Sequence, residues 1–261
     1  MRKVFTFIVL PVLALSAACG SSTSTPSPAS PTSALDATSA ATGLANADVP
    51  IFQVDAAGQS PSGKGPCVFN PATGEFDCPE VTRDGLTLTR QFTLYDAGGN
   101  VQSKFDKNTT ASIKTETTAK GTITLPDGST STIDRSGVMI TTGLVGDETT
   151  HTLNGTEQGT VVTTSNKAGG ATINTTLNDS TNNLVVPVPD RSTQGGYPLS
   201  GSQTHSTTTT VTHGSDTRTT VTERRETFNG TNIVQVDLTV NGATEHCTRD
   251  LATHTSTCSR K

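Results

Sequence analysis

This chain of 261 residues has no tryptophan, two tyrosines and two methionines, and aromatic residues make up only 4% of it. Aromatic rings supply much of the buried area of an ordinary core, so a thick two-sheet sandwich lacks the material to fill its interior. The same scarcity removes a stacking platform for nucleic-acid bases. Charge is also sparse, with 18 basic against 23 acidic residues. No basic stripe is present, so no nucleic-acid partner is expected, and an acidic chain gains nothing from anionic lipid headgroups. Catalytic signatures are missing as well: there is no Gly-x-Ser-x-Gly elbow, no His-Glu-x-x-His and no phosphate-cradling glycine loop. The expectation is a non-enzyme with no cofactor and no metal site.

The one long apolar run lies at the start, in MRKVFTFIVLPVLALSAACG. Arg2 and Lys3 precede an apolar stretch from Val4 to Leu15, and small residues follow before Cys19, which is the layout of an export signal. The run is shorter than the roughly 20 residues a membrane-spanning helix needs. Leu15-Ser16-Ala17-Ala18-Cys19 resembles the lipobox of bacterial lipoproteins. That resemblance implies a signal peptide over residues 1–18, cleavage before Cys19, and lipidation of Cys19 on its thiol and its new amino group. Three acyl chains, at roughly 0.8 kcal/mol per buried methylene, hold a protein stably on a membrane. Ordinary secretion after Ala18 is the competing reading, since Ser16 stands where a stronger lipobox carries leucine. Removing the signal takes away Arg2 and Lys3 and no acid, so the formal charge moves from −5 to −7. The only membrane contact expected is the lipid.

Residues 19–48 follow as a tether of Ser, Thr, Pro and Ala, with too little apolar surface to offset its ordering entropy. At most a short helix around residues 34–47 interrupts it. The remainder, 49–261, reads as a single antiparallel β domain.

Five cysteines are present, an odd number for an exported chain. Cys67 and Cys78 frame CVFNPATGEFDC, and Cys247 and Cys258 frame CTRDLATHTSTC. Each segment reads as a hairpin. Val68 to Asn70 faces Glu75 to Asp77 in the first, and Thr248 to Asp250 faces Thr255 to Thr257 in the second. In that register the cysteines lie opposite at a non-hydrogen-bonded position, close enough to bridge. Each bridge is worth roughly 3 kcal/mol on the loop-entropy model. A zinc site from the same four cysteines has the wrong spacing. The pairing leaves Cys19 alone, which agrees with its lipidation. The two hairpins also share an Asn or Asp, then Ala-Thr, then Cys; both distant duplication and convergence on one recipe fit that.

Strand signals separated by Gly, Asn and Asp fill the rest. Leu86, Leu88, Phe92 and Leu94 share one face of a strand from Gly85 to Tyr95, and residues 96–100 turn it back into a strand from Val101 to Phe105. Further strands are expected over Ala111 to Leu125, Thr130 to Arg135, Val138 to Thr142 and His151 to Leu153, with Asp127-Gly128 as a turn. Asn154-Gly155, Asn229-Gly230 and Asn241-Gly242 are hairpin signals. Two-residue loops at the last two place Val221 opposite Leu238 and Val236 opposite Cys247, so that the second disulfide points into the core. Leu184-Val185-Val186-Pro187-Val188-Pro189 reads as an edge strand and crossover that splits the meander in two. The fold class expected is all-β: an antiparallel meander forming a strongly curved sheet or open barrel after a disordered N-terminal tether. Threonine occupies the wet face and part of the inner one.

The ordered run CVFNPATGEFDC, RDGLTLTRQFTLYDAGGN, TTGLVGDETTHTLNGT, LVVPVP, YPLSGS and CTRDLATHTSTC resembles uncharacterised exported lipoproteins of Gram-negative bacteria. The resemblance implies an envelope location and transfers no activity.

Three clusters have chemical content. His205 and His213 share a strand face but lie about 26 Å apart, too far for one ion, and read as surface histidines. Asp147, Glu148 and His151 form an acid/base or cation cluster, or a solvated turn. Glu223-Arg224-Arg225-Glu226 grips an anion, or supplies cross-strand charge pairs on a wet face. A non-catalytic envelope lipoprotein, structural or holding a ligand on a curved sheet, is the function this favours. A surface adhesin or recognition module using a Thr-rich sheet face is the alternative; a flat, regularly spaced threonine array would mark it, and the irregular lengths of the expected strands argue against one. The sequence names no ligand and no protein partner.

Overall fold

The computed structural model describes residues 67–167, 169–188 and 196–259. Cys19, the segments expected to be a signal peptide and a tether, and residues 49–66 lie outside them.

The described residues form one antiparallel sheet of fourteen strands and no helix. β1 (Val68–Asn70) and β2 (Glu75–Asp77) make the first cysteine hairpin, and β3 (Val81–Arg83) and β5 (Val101–Gln102) flank the long β4 (Leu86–Asp96). Six long strands follow: β6 (Thr110–Thr124), β7 (Thr130–Thr142), β8 (Thr150–Thr164), β9 (Thr172–Pro187), β10 (Ser200–His213) and β11 (Asp216–Phe228). β12 (Ile233–Val240), β13 (Ala243–Asp250) and β14 (Thr255–Ser259) complete the chain. The spatial order is β1-β2-β4-β6 and then every strand in sequence to β14, with β3 and β5 paired to β4. β1 and β14 stand at the two edges, so the sheet does not close into a barrel.

Buried positions alternate with exposed or half-buried ones along parts of β6 to β9. On β9, Ile173, Thr175, Leu177 and Thr181 are buried, while Thr172, Asn174, Thr176 and Asn178 between them are exposed. That is the period of a pleated strand with one covered face. Among the described residues no second layer covers this face, so the sheet covers it by curving over itself. Ala119, Ile133, Val161, Ile173 and Leu177 are buried along β6 to β9, and two tighter apolar clusters lie elsewhere on the face. Phe76, Phe92, Leu94 and Ile113 pack near the first disulfide, with Phe76 and Phe92 stacked at 4.5 Å between ring centroids. Leu184, Phe228, Val234, Val236 and Cys247 form the second. Between them the inner face carries threonine, including Thr115, Thr117, Thr163 and Thr175, all buried.

Both cysteine hairpins form in the expected register. Val68 pairs with Asp77 and Thr248 with Thr257, and the bridges join Cys67 to Cys78 and Cys247 to Cys258. Their loops share one device. The side-chain oxygen of Asn70 accepts from the Ala72 N–H, and that of Asp250 accepts from the Ala252 N–H. Each loop ends in a left-handed residue, Gly74 in one and His254 in the other. Cys247 lies in the second apolar cluster, while Cys258 on the edge strand is exposed.

Asn241-Gly242 closes a two-residue hairpin with both residues left-handed, φ 49° and 85°, and pairs Val236 with Cys247. The other two Asn-Gly signals act differently. At Asn229-Gly230 the loop runs through Asn232, so Arg224 pairs with Leu238 and Thr222 with Val240, correcting the expected pairing of Val221 with Leu238. The Asn229 carboxamide oxygen takes hydrogen bonds from the Thr231 N–H and hydroxyl, which stabilises the wider loop. Asn154-Gly155 lies inside β8 at a bulge, where the Asn154 carboxamide oxygen accepts from the N–H of left-handed Asn183.

The segment Leu184 to Pro187 is the end of β9, between β8 and β10, and the meander runs through it unbroken. Pro187 is tolerated there because Val188 N–H bonds Thr149 on the β8 side. By alternation the proline nitrogen faces the other way, past the first residue of β10 opposite Val185. No ladder bond is lost. Two more segments differ in extent: Thr130 to Thr142 is one continuous strand, and the return after residues 96–100 is paired only at Val101 and Gln102.

Candidate functional site

The long strands bring a line of charged side chains together across the inner face. Glu157 on β8 stands opposite Asp179 on β9, Asp179 opposite His205 on β10, and His205 opposite Arg224 on β11. All four sit on the same face as the buried threonines. Arg135 on β7 joins them diagonally. Its guanidinium pairs with the Glu157 carboxylate, and both side chains are almost wholly buried. Gly159, the residue directly opposite Arg135, makes that reach workable. A Cβ on Gly159 would lie 2.4 Å from the Asp134 carbonyl oxygen and 2.7 Å from Arg135 Cγ.

Asp179 Oδ1 is 2.6 Å from His205 Nδ1, with both side chains about a quarter exposed. Further along β11, Glu226 is buried, and its Oε1 accepts from Arg249 Nη1 of β13 at 2.8 Å. Arg224 Nε lies 3.5 Å from the same oxygen but is 40% exposed, so solvent screens that contact. The belt thus runs from Arg135 on β7 to Arg249 on β13, with the two acids Glu157 and Asp179 side by side and each acid in reach of an arginine or a histidine. Burial pushes the Glu157 carboxyl above the ordinary glutamate range; neighbouring Asp179 adds to the shift and Arg135 opposes it.

Each carboxylate of this belt has an arginine or a histidine beside it. Among the described residues, no group of three or more His, Cys, Asp or Glu side chains is placed to hold a metal ion.

The residues singled out from sequence fall into place around the belt. Cys19 lies outside the described residues. Cys67, Cys78, Cys247 and Cys258 are bridged. His205 is a member of the belt and half-buried, which corrects its reading as a surface histidine, while His213 is exposed at a hairpin tip. Glu223-Arg224-Arg225-Glu226 splits by parity. Glu223 and Arg225 face solvent, whereas Arg224 and Glu226 face inward, so the segment does not lie on a wet face alone. His151 donates from Nδ1 to the Gly143 carbonyl oxygen at 2.8 Å, and Asp147 and Glu148 are exposed. Arg135, Glu157, Asp179 and Arg249 carry no motif. Their one signal is a lone charge at an inward position of a Thr-rich strand, visible only once strand parity is known.

The opposite, outer face has its own order. Register aligns Thr124, Thr130, Thr164, Thr172, Thr212 and Thr217 in one unbroken row across six adjacent strands, β6 to β11. Five of the six are exposed and Thr212 is half-buried. The next row inward holds Thr122, Thr132, Val162, Asn174, Thr210 and Thr219. Cross-strand hydroxyl pairs, such as Thr122 with Thr132 at 3.0 Å and Thr210 with Thr219 at 3.1 Å, hold the rotamers in place. Comparison with known proteins finds no match among family models, curated proteins or solved structures.

Proposed function

We propose that this protein is a non-catalytic lipoprotein of the cell envelope, held on a membrane by lipid at Cys19 and carrying a curved β-sheet as its working part. In a Gram-negative cell that membrane is the outer one. The observation that supports the anchor is the fate of the other cysteines. Two disulfides account for four of the five, and the fifth ends an export signal in a lipobox-like sequence. The inner charge belt supports a scaffold role, because its groups are engaged with one another.

The anchor is tested by fractionation. Cys19→Ala should move the protein from the membrane fraction to the soluble fraction, and incorporation of an alkyne-labelled fatty acid should vanish with it. Unchanged membrane recovery of the variant would reject the lipid anchor.

A second reading, a surface recognition module, is favoured by one specific feature. The outer face is not an irregular scatter of threonine; six strands of 13 to 16 residues bring it into straight rows.

A further inference from the structure

The geometry points to the outer threonine rows of β8 to β11 as a binding surface for a neutral polysaccharide. This rests on the recognition reading of that face and is independent of the lipid anchor.

The surface is uncharged. In the three outermost rows, the stretch from β8 to β11 carries threonine with Val162, Asn174 and Val221, and no ionised side chain. The nearest charges in those rows, Lys120 and Asp134, pair with each other at 3.2 Å on β6 and β7. A charged ligand settling here would lose hydration and find no counter-charge. A neutral one has no such cost. An otherwise acidic chain has kept charge out of its most regular exposed area.

Its chemistry matches as well. Each threonine offers a hydroxyl that donates once and accepts twice, together with a methyl group. A pyranose ring likewise carries hydroxyls around its edge and C–H groups on its faces. The hydroxyl pair of Thr212 and Thr217, 3.4 Å apart, consumes one donor and leaves the other donor and several acceptor sites open. Individually these contacts are weak, so a single sugar gains little. A polymer that repeats its hydroxyls along its length can engage many of them at once, and its affinity then grows by avidity.

Its shape fits too. Neighbouring threonines within a row lie about 4.8 Å apart, and rows are spaced by about 6.8 Å along the strands. Across the four strands β8 to β11 a row thus spans roughly 14 Å, the reach of about three sugar units. Buried residues gather on the inner face of β6 to β9, over which the sheet curves, so the outer face is convex. A flexible chain follows a convex row, whereas a flat crystalline lattice such as ice touches little of it at a time.

The experiment uses the full-length chain in detergent, incubated with amorphous swollen cellulose, amorphous chitin, amylose or polygalacturonate gel and measured by depletion from solution. At least one of the three neutral polymers should deplete the protein, to the same extent at low salt and at about 1 M salt. The double variant Thr164→Lys/Thr212→Lys should lose that binding by about tenfold or more, since it places unpaired cations in the row. Thr227→Lys, exposed on the same face but outside the uncharged area, should retain it. Cys19→Ala should bind like the parent chain, which separates failure of the anchor from failure of this surface. Four results would each overturn the proposal: no depletion by any neutral polymer, depletion only by polygalacturonate, binding that survives the double lysine variant, or inhibition of ice growth without polymer binding.

Discussion

Glu226 is the point where the inner belt should be most vulnerable. Its carboxylate is buried, accepts from Arg249 at 2.8 Å, and lies between β10 and the apolar cluster of Val234, Val236 and Cys247. Glu226→Ala leaves the Arg249 guanidinium, whose side chain is only 16% exposed, without its carboxylate. Removing one partner of a buried pair costs about 3–5 kcal/mol. The residual exposure of Arg249 and the loose contact to Arg224 put this case at the lower end, about 3 kcal/mol. In a domain of this size that corresponds to a fall in Tm of roughly 6–12 °C. Urea unfolding read by far-UV circular dichroism gives the value directly, with the m-value checking that the unfolded state has not changed. The double variant Glu226→Leu/Arg249→Met should recover most of the loss, because an apolar pair of similar volume needs no desolvated charge. A cost below about 1 kcal/mol for Glu226→Ala would refute the reasoning, since it would mean the pair is solvated and the belt is not part of the core.

Two further outcomes follow from the same face. Glu157 has a folded-state pKa above its unfolded value because of burial, so its contribution to stability is full below the ordinary glutamate value and is lost as pH rises through the raised one. The stability difference between the parent and Glu157→Gln should therefore decline as pH rises across that window, in urea titrations from about pH 4 to about pH 8; a difference that grows with pH would show that attraction to Arg135 outweighs burial. Asp96, Asp127 and Asp250, held below the ordinary range by hydrogen bonds from Asn100, Ser129 and Asn232, act in the opposite sense but are common to both proteins and cancel. Gly159→Ala should cost about 2 kcal/mol or more by thermal melting, because the new methyl meets backbone at 2.4 Å in the middle of a long ladder; a neutral effect would mean that Arg135 does not need to cross β8 at that point.

What the sequence reveals depends on whether local chemistry decides the structure. The cysteine hairpins are legible because Asn70 and Asp250 each set an Asx turn beside a fixed spacing of cysteines. β4 is legible because Leu86, Leu88, Phe92 and Leu94 alternate with polar residues. β8 and β9 are not. Thr163 is buried and Thr164 exposed, yet one residue type serves both faces, so there is no hydrophobic alternation to read. Asn-Gly is a hairpin signal only where nothing competes. At residues 229–230 the hydroxyl of Thr231 widens the loop, and at 154–155 the strand continues and the pair is absorbed into a bulge. The charge belt is still less visible, since Arg135, Glu157, Asp179, His205 and Arg224 become neighbours only after four separate registers are fixed.

That last fact bears on why the belt exists at all. A sheet built from threonine is poorly protected against slipping by two residues, which keeps every side chain on its own face. Moving β10 by two against β9 would exchange Thr207 for Thr209 opposite Leu177, and Thr208 for Thr210 opposite Thr176; neither exchange changes the chemistry of the contact. The same slip would take His205 away from Asp179. Between β7 and β8, the slip that sets Arg135 opposite Val161 would leave Arg135 and Glu157 buried and apart, and a buried charge without its partner costs several kcal/mol. The charged pairs thus penalise the wrong alignments that the threonines tolerate, and the straight outer rows depend on them, since those rows exist only while every strand holds its register. On this argument the Glu226→Leu/Arg249→Met variant should be nearly as stable as the parent and yet less uniform. Duplicated amide resonances or faster hydrogen exchange in β10 to β13 would show the lost specificity, and a single sharp spectrum would show that the two apolar clusters fix the register without the charges.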